Sequence, residues 1–100
     1  MFIAIVDLLV AAENRPAALA SLQGEATAVR AMAGNLAFRF FIDPMNASAI
    51  RIFHEWQDAA GFESYTASGA FSALGRTLRP LLTAAPVSRR MTAQHLETVR

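Results

Sequence analysis

Residues 2–10 read Phe2-Ile3-Ala4-Ile5-Val6-Asp7-Leu8-Leu9-Val10. A strand sends successive side chains to opposite faces, and this stretch is apolar at both parities except at Asp7. It reads as a central strand whose sheet needs cover on both sides. No basic residue precedes it, and Asp7 interrupts it well short of the roughly 20 apolar residues a membrane span requires, so neither a signal core nor a membrane partner is expected.

Downstream, Asn14 is placed to cap a helix with Pro16 in its tolerant first turn. Leu19, Leu22, Ala26 and Val29 recur at helical spacing, and Gly34 marks the stop, which predicts a helix over about residues 15–33. Leu36 to Ile42 is aromatic and branched, and Asp43-Pro44-Met45-Asn46 is turn chemistry leading into Ala49 to Trp56, a hairpin. In its second arm Ile50, Ile52, His54 and Trp56 share one face, with Ala49, Arg51, Phe53 and Glu55 on the other. Asp58 and Ser68 are plausible caps for two further helical pieces, the second ended by Pro80, and Val87 to Leu96 reads as a last, mixed strand at a sheet edge.

This order, βαββαβ with right-handed crossovers, predicts an α+β ferredoxin-like plait: a four-stranded antiparallel sheet with helices on one face. The other face of a lone plait would be wet. The apolar parity of residues 2–10 that points there predicts a homodimer built by sheet-to-sheet packing, a dimeric α+β barrel.

Composition agrees with that reading. The 100-residue chain allows one domain, with residues 1–96 as the folded core and 97–100 as a frayed tail. Size scaling gives roughly 5,500 Å² of surface for a lone globule, and with 54% apolar and only 17% charged residues some carbon must lie outside. The charged side chains are nine arginines and eight acids, for a net charge of +1. Nothing resembles the basic stripe that a nucleic-acid backbone requires, and the one adjacent basic pair, Arg89-Arg90, reads as a solvated edge. Absence of cysteine suits a reducing compartment, the cytoplasm by default, and removes thiolate chemistry.

Most catalytic signatures are missing. There is no phosphate-cradling glycine loop, no G-x-S-x-G elbow and no H-E-x-x-H, and His54 and His95 fall on different predicted strands, so no metal site is expected. What remains is an aromatic interior with a few polar guests. Phe38, Phe40, Trp56, Phe62 and Phe71 are placed to line a pocket for a flat apolar ligand. Each polar guest has a structural reading beside its functional one. Trp56 is a core anchor or a pocket wall; His54 is satisfied by a backbone carbonyl or works as a base; Tyr65 packs or offers its hydroxyl. Arg39 pairs with Glu55 or Asp7, or holds an anionic substrate.

The run Gly34 to Pro44, then Phe53-His54-Glu55-Trp56-Gln57-Asp58, then Ser68-Gly69-Ala70-Phe71 with Leu81-Leu82 following, resembles the antibiotic biosynthesis monooxygenase family over about residues 2–93. That resemblance implies sheet-to-sheet dimers that oxidise phenolic or quinol-type aromatic molecules with molecular oxygen, using neither metal nor flavin nor any other cofactor. Trp56, the Asp43-Pro44 turn and Phe71 match its landmarks. His54 stands where many members have glutamate, Tyr65 and Ala70 stand where histidine is frequent, and Gly75 lies near the place of the histidine ligand in the haem-degrading branch. The sequence thus nominates His54, Trp56 and Tyr65 as catalytic, His54 as base or proton shuttle, and Arg39, Phe38, Phe62 and Phe71 as substrate-binding. The alternatives are a non-catalytic binding module of the same fold, or a proton-transfer isomerase or lyase.

Overall fold

In the computed structural model, which describes residues 1–100, four strands form one antiparallel sheet in the order β2-β3-β1-β4. Strand β1 spans Phe2–Leu9, helix α1 Arg15–Arg30, β2 Asn35–Asp43, β3 Asn46–Trp56, α2 Ala59–Thr66, α3 Gly69–Leu78 and β4 Val87–Thr92. This is the expected ferredoxin-like α+β plait, with the helices on one face of the sheet.

Register decides which side chains meet. Phe38 lies opposite His54, His54 opposite Ala4, and Ala4 opposite Arg90, so these four form one row across all the strands on the helix side. The next row is Phe40, Ile52, Val6 and Ser88. On the opposite face, Asp7 lies between Arg51 and Val87 in a field of Ile3, Ile5, Phe53 and Met91. Arg51 clamps Asp7 with Nε to Oδ1 at 2.7 Å and Nη2 to Oδ2 at 3.1 Å, while Arg89 approaches at 3.5 Å. The hydrogen bond from Arg51 is the main reason the Asp7 carboxyl sits below its ordinary range.

Helix α1 covers the sheet with Ala18, Leu22, Ala26 and Val29, one stripe at steps of four, four and three. Its Arg30 donates from Nε and Nη2 to the Phe38 carbonyl, at 3.0 and 2.8 Å, tying the helix to β2. Asp58 accepts from the Gly61 N–H at 3.0 Å, and the Ser68 hydroxyl accepts from the Phe71 N–H at 3.2 Å, so both predicted caps are made. Helix α3 stops two residues before Pro80, as a residue without an N–H requires.

Three expectations are corrected. Asn14 makes no side-chain cap: a 3₁₀ turn at Ala12–Asn14 already holds it at helical dihedrals, so its side chain does not reach forward to the first free N–H groups. Helix α1 ends at Arg30 rather than 33, because the chain turns early toward Gly34, whose φ of +83° lies in the left-handed region. Strand β4 stops at Thr92 rather than Leu96: its last ladder pair with β1 is Phe2 with Thr92, and a final pair of backbone bonds joins Met1 and Ala93, at 2.7 and 2.8 Å. His95 and Leu96 therefore lie outside any strand.

The accessible surface is 6278 Å², above the roughly 5,500 Å² expected for a lone globule of this mass. Residues 94–100 are all exposed.

Two glycines should respond in opposite directions to alanine. Gly24 lies inside α1 with nothing within 4 Å of a new Cβ, whereas Gly34 has room but the wrong dihedral. Urea unfolding at one protein concentration is expected to show Gly24→Ala stabilised by about 1 kcal/mol and Gly34→Ala destabilised by about 1 to 2 kcal/mol.

Candidate active site

Between the sheet and helices α2 and α3 lies a hollow of about 310 Å³, at the small end of the range for ligand pockets. Its floor comes from the two cross-strand rows. Phe38, His54 and Arg90 belong to the first, with Ile52, Val6 and Ser88 from the second. Its roof comes from Phe62, Tyr65, Phe71, Leu74 and Leu78 on the two short helices. Between His54 and Arg90 the sheet offers only the small Ala4, and the Phe62 ring contacts both neighbours, with its centroid 5.4 Å from the imidazole and 4.8 Å from the Arg90 guanidinium carbon.

His54 is 3% exposed and Trp56, two residues on along the same face of β3, is fully buried. The indole Nε1–H donates to His54 Nδ1 at 3.0 Å. Indole nitrogen can only donate, so the imidazole nitrogen facing it must carry a lone pair, and in the neutral ring the proton then sits on the other nitrogen, Nε2. Nε2 has no protein partner, yet no buried side-chain nitrogen or oxygen is both sealed and unpaired, so this edge of the ring keeps access to the hollow it lines. Burial, and secondarily the Arg90 charge, pull the imidazole down to about 4, so it is neutral throughout the physiological range. Burial, with the Glu25 carboxylate adding to it, pushes the Tyr65 phenol up to about 12, so its hydroxyl stays protonated.

The structure brings His54, Tyr65, Phe38, Phe62 and Phe71 to one hollow, with Phe71 at the rim, 38% exposed and edge-on to Tyr65 at 5.3 Å. It separates two other nominees from it. Trp56 lies behind the wall, stacked on Tyr65 at 5.4 Å and reaching the hollow only through its bond to His54. Arg39 points to the open face of the sheet, because the alternation that turns Phe38 and Phe40 inward turns Arg39 outward. Its guanidinium lies over Phe41 at 6.0 Å rather than against Asp7 or Glu55: Asp7 is two strands away and already held by Arg51, and Arg39 lies opposite Phe53, not Glu55. The base role of His54 also changes, since its one lone pair is engaged by the indole and its free edge is a donor.

Two site residues went unnoticed in the sequence. Arg90, read as solvated edge, turns over the hollow while Arg89 turns to the open face, and Arg79 closes the rim after α3. Alternation along β4 was the available signal, but which parity faces the helices depends on pairing with β1, 80-odd residues away in sequence.

A sequence model described as antibiotic biosynthesis monooxygenase matches residues 1–76. The chain belongs to the antibiotic biosynthesis monooxygenase family. The match ends before Arg79 and Arg90, so the cationic rim lies outside the matched part of the family pattern. Among solved structures, a candidate antibiotic biosynthesis monooxygenase from Nitrosomonas europaea superposes with a TM-score of 0.90 at 9% identity, over 95% of this chain and all of that one. One from Deinococcus radiodurans gives 0.89 at 19% identity, over 100% and 99% of the two chains, and one from Caulobacter crescentus 0.89 at 15%, over 94% and 90%. At such identities these likenesses establish the fold. A comparison with curated proteins finds no match. No helix of the family member described here is long and apolar enough to cross a membrane.

The buried imidazole ties stability to pH. Its folded value of about 4 lies below the ordinary 6.5, so the unfolded chain binds the extra proton first as pH falls. The stability His54 contributes is present above about pH 6.5 and lost progressively down to about pH 4, amounting to about 3 kcal/mol in all. Urea titrations across that window are expected to follow this slope, and His54→Gln, which keeps an acceptor for the indole but does not titrate, is expected to flatten it.

Proposed function

We propose that this protein is a cofactor-independent monooxygenase for a phenolic or quinol-type aromatic small molecule, with molecular oxygen as co-substrate. The observation that carries the reading is the aromatic hollow with a neutral imidazole N–H opening into it. An anthrone-type substrate illustrates the balance: a ring methylene and one dioxygen give a ring carbonyl and one water. The carbon loses four electrons, one oxygen atom stays in the product, and the other leaves as water with both methylene hydrogens.

Oxygen accepts an electron readily only from the ionised substrate. Here the protein promotes ionisation by stabilising the anion rather than by taking the proton. His54 Nε2–H donates to the developing oxyanion, the Arg79 and Arg90 charges at the rim favour it, and the proton leaves through the open mouth to solvent. Apolar walls from Phe38, Phe62 and Phe71 keep the anion dry, which strengthens each of these interactions. Tyr65 supplies a neutral hydroxyl for a second substrate oxygen.

The non-catalytic module has one specific support. With His54 held near 4 and its lone pair engaged, the hollow contains no group ready to take up a proton at neutral pH. The same fact weighs against an isomerase or lyase that shuttles protons through His54.

The open face supports a homodimer packed sheet to sheet: Ile3, Ile5 and Phe53 surround the Asp7–Arg51 pair, and Phe41 beside them is 50% exposed. Sedimentation at micromolar concentration is expected to give twice the 10.8 kDa chain mass, and Ile5→Lys to give the monomer. The absence of cysteine supports a reducing compartment such as the cytoplasm.

Oxygen uptake with a panel of anthrones, hydroquinones and naphthols tests the activity. Wild type is expected to consume oxygen, and His54→Phe to lose on the order of 10²-fold in kcat, the usual cost of one oxyanion donor. The rate should rise with pH along a limb that moves with the acidity of each substrate, with no fixed limb near 6.5. Uptake equal to buffer despite ligand binding would leave the binding module, and proton exchange without oxygen consumption would indicate an isomerase.

A further inference from the structure

We propose that the hollow selects an aromatic carboxylic acid, its ring system lying under Phe62 and Phe71 and its carboxylate held at the rim by Arg90 and Arg79. This deepens the substrate reading above and rests on the same hollow being the substrate site.

The charge distribution is the first observation. None of the seventeen residues lining the hollow is acidic, whereas two of them are arginines. Both ion pairs of the protein use Asp7 on the opposite face, so neither Arg79 nor Arg90 has a carboxylate within 4 Å. Two uncompensated guanidinium groups beside an apolar cavity, in a chain of net charge only +1, set up a field that attracts an anion.

Orientation is the second. Arg90 Nε donates to Ser88 Oγ at 3.3 Å, and its guanidinium carbon lies 4.8 Å above the Phe62 ring. These two contacts fix the plane of the group and leave both Nη atoms free, the pair that meets a carboxylate through two parallel hydrogen bonds. Lysine could supply the charge but not that fork.

Spacing is the third. His54 and Arg90 occupy one row with Ala4 between them, two strand spacings or about 9.6 Å apart at the backbone. The imidazole centroid and the guanidinium carbon lie 5.4 and 4.8 Å from the same Phe62 ring centroid, so an oxygen on His54 Nε2–H and a carboxylate on Arg90 are reached across the width of that one ring, a span that a compact fused-ring ligand covers. A neutral naphthol satisfies only the first point.

Calorimetric titration of the full chain at pH 7.5 and low salt with 6-hydroxy-2-naphthoic acid and 2-naphthol tests this. The acid is expected to bind about tenfold tighter or better, with the advantage shrinking as salt is raised because the rim is solvent-exposed. Arg90→Gln should remove most of that advantage and leave 2-naphthol within about twofold, whereas Arg76→Gln, on α3 away from the hollow, should change neither. Arg90→Lys should recover part of the loss, and Arg79→Gln provides an independent second removal of charge. Equal affinities, an acid advantage that survives both removals, or binding of neither probe would overturn the proposal. Acid binding that depends on Arg90 without oxygen uptake would leave it standing and remove the oxygenase reading. Oxygenation of naphthol without preference for the acid would do the reverse.

Discussion

The hydrogen bond from the Trp56 indole to the His54 imidazole is the contact on which the site depends. Both rings are buried, and each would be costly alone, an indole N–H and an imidazole nitrogen cut off from water. Paired, they satisfy one another, and the pairing has a chemical consequence at the far edge of the imidazole. Since indole can only donate, the nitrogen it meets must accept, and the remaining nitrogen must carry the proton. A ring turned by 180° would set Cδ2–H, which cannot accept, against the indole, so the pairing also fixes the ring's orientation and leaves Nε2–H to the hollow. Site chemistry follows from a partner that never enters the site.

The rest of the fold serves to keep that donor beside a cavity. Ala4, between His54 and Arg90 in the cross-strand row, is too small to fill the space above the sheet, and Phe62 from α2 leans over it from the other side. Two short helices, each begun by a side-chain cap at Asp58 or Ser68, roof the hollow. None of the eight acids lines the hollow, which contains donors and positive charge.

Much of the fold was legible because its signals are local. The two-sided apolar pattern of residues 2–10, the Asp43 to Asn46 turn and the caps at Asp58 and Ser68 each act within a few residues, and the structure has them where the pattern puts them. Where pairing across the chain decides, the sequence was silent: the extent of β4 and the direction of Arg90 both depend on its register with β1. Arg39 is a different case. The period of two that sends Phe38 inward sends its neighbour outward, so the two could not both touch one ligand, and the alternation already contained that information. His54 and Trp56 were visible as neighbours on one face, but nothing in the spacing told which ring would donate and which would line the hollow.

Nitrogen-15 NMR of the imidazole side chains, with His54 assigned by its absence from His54→Gln, tests the central claim most directly. At pH 7 His54 is expected to show one pyridine-type nitrogen, Nδ1, and one protonated pyrrole-type nitrogen, Nε2, with the Nδ1 resonance displaced in Trp56→Phe. An Nδ1–H tautomer, a rapidly exchanging mixture, or an imidazolium at that pH would contradict the account.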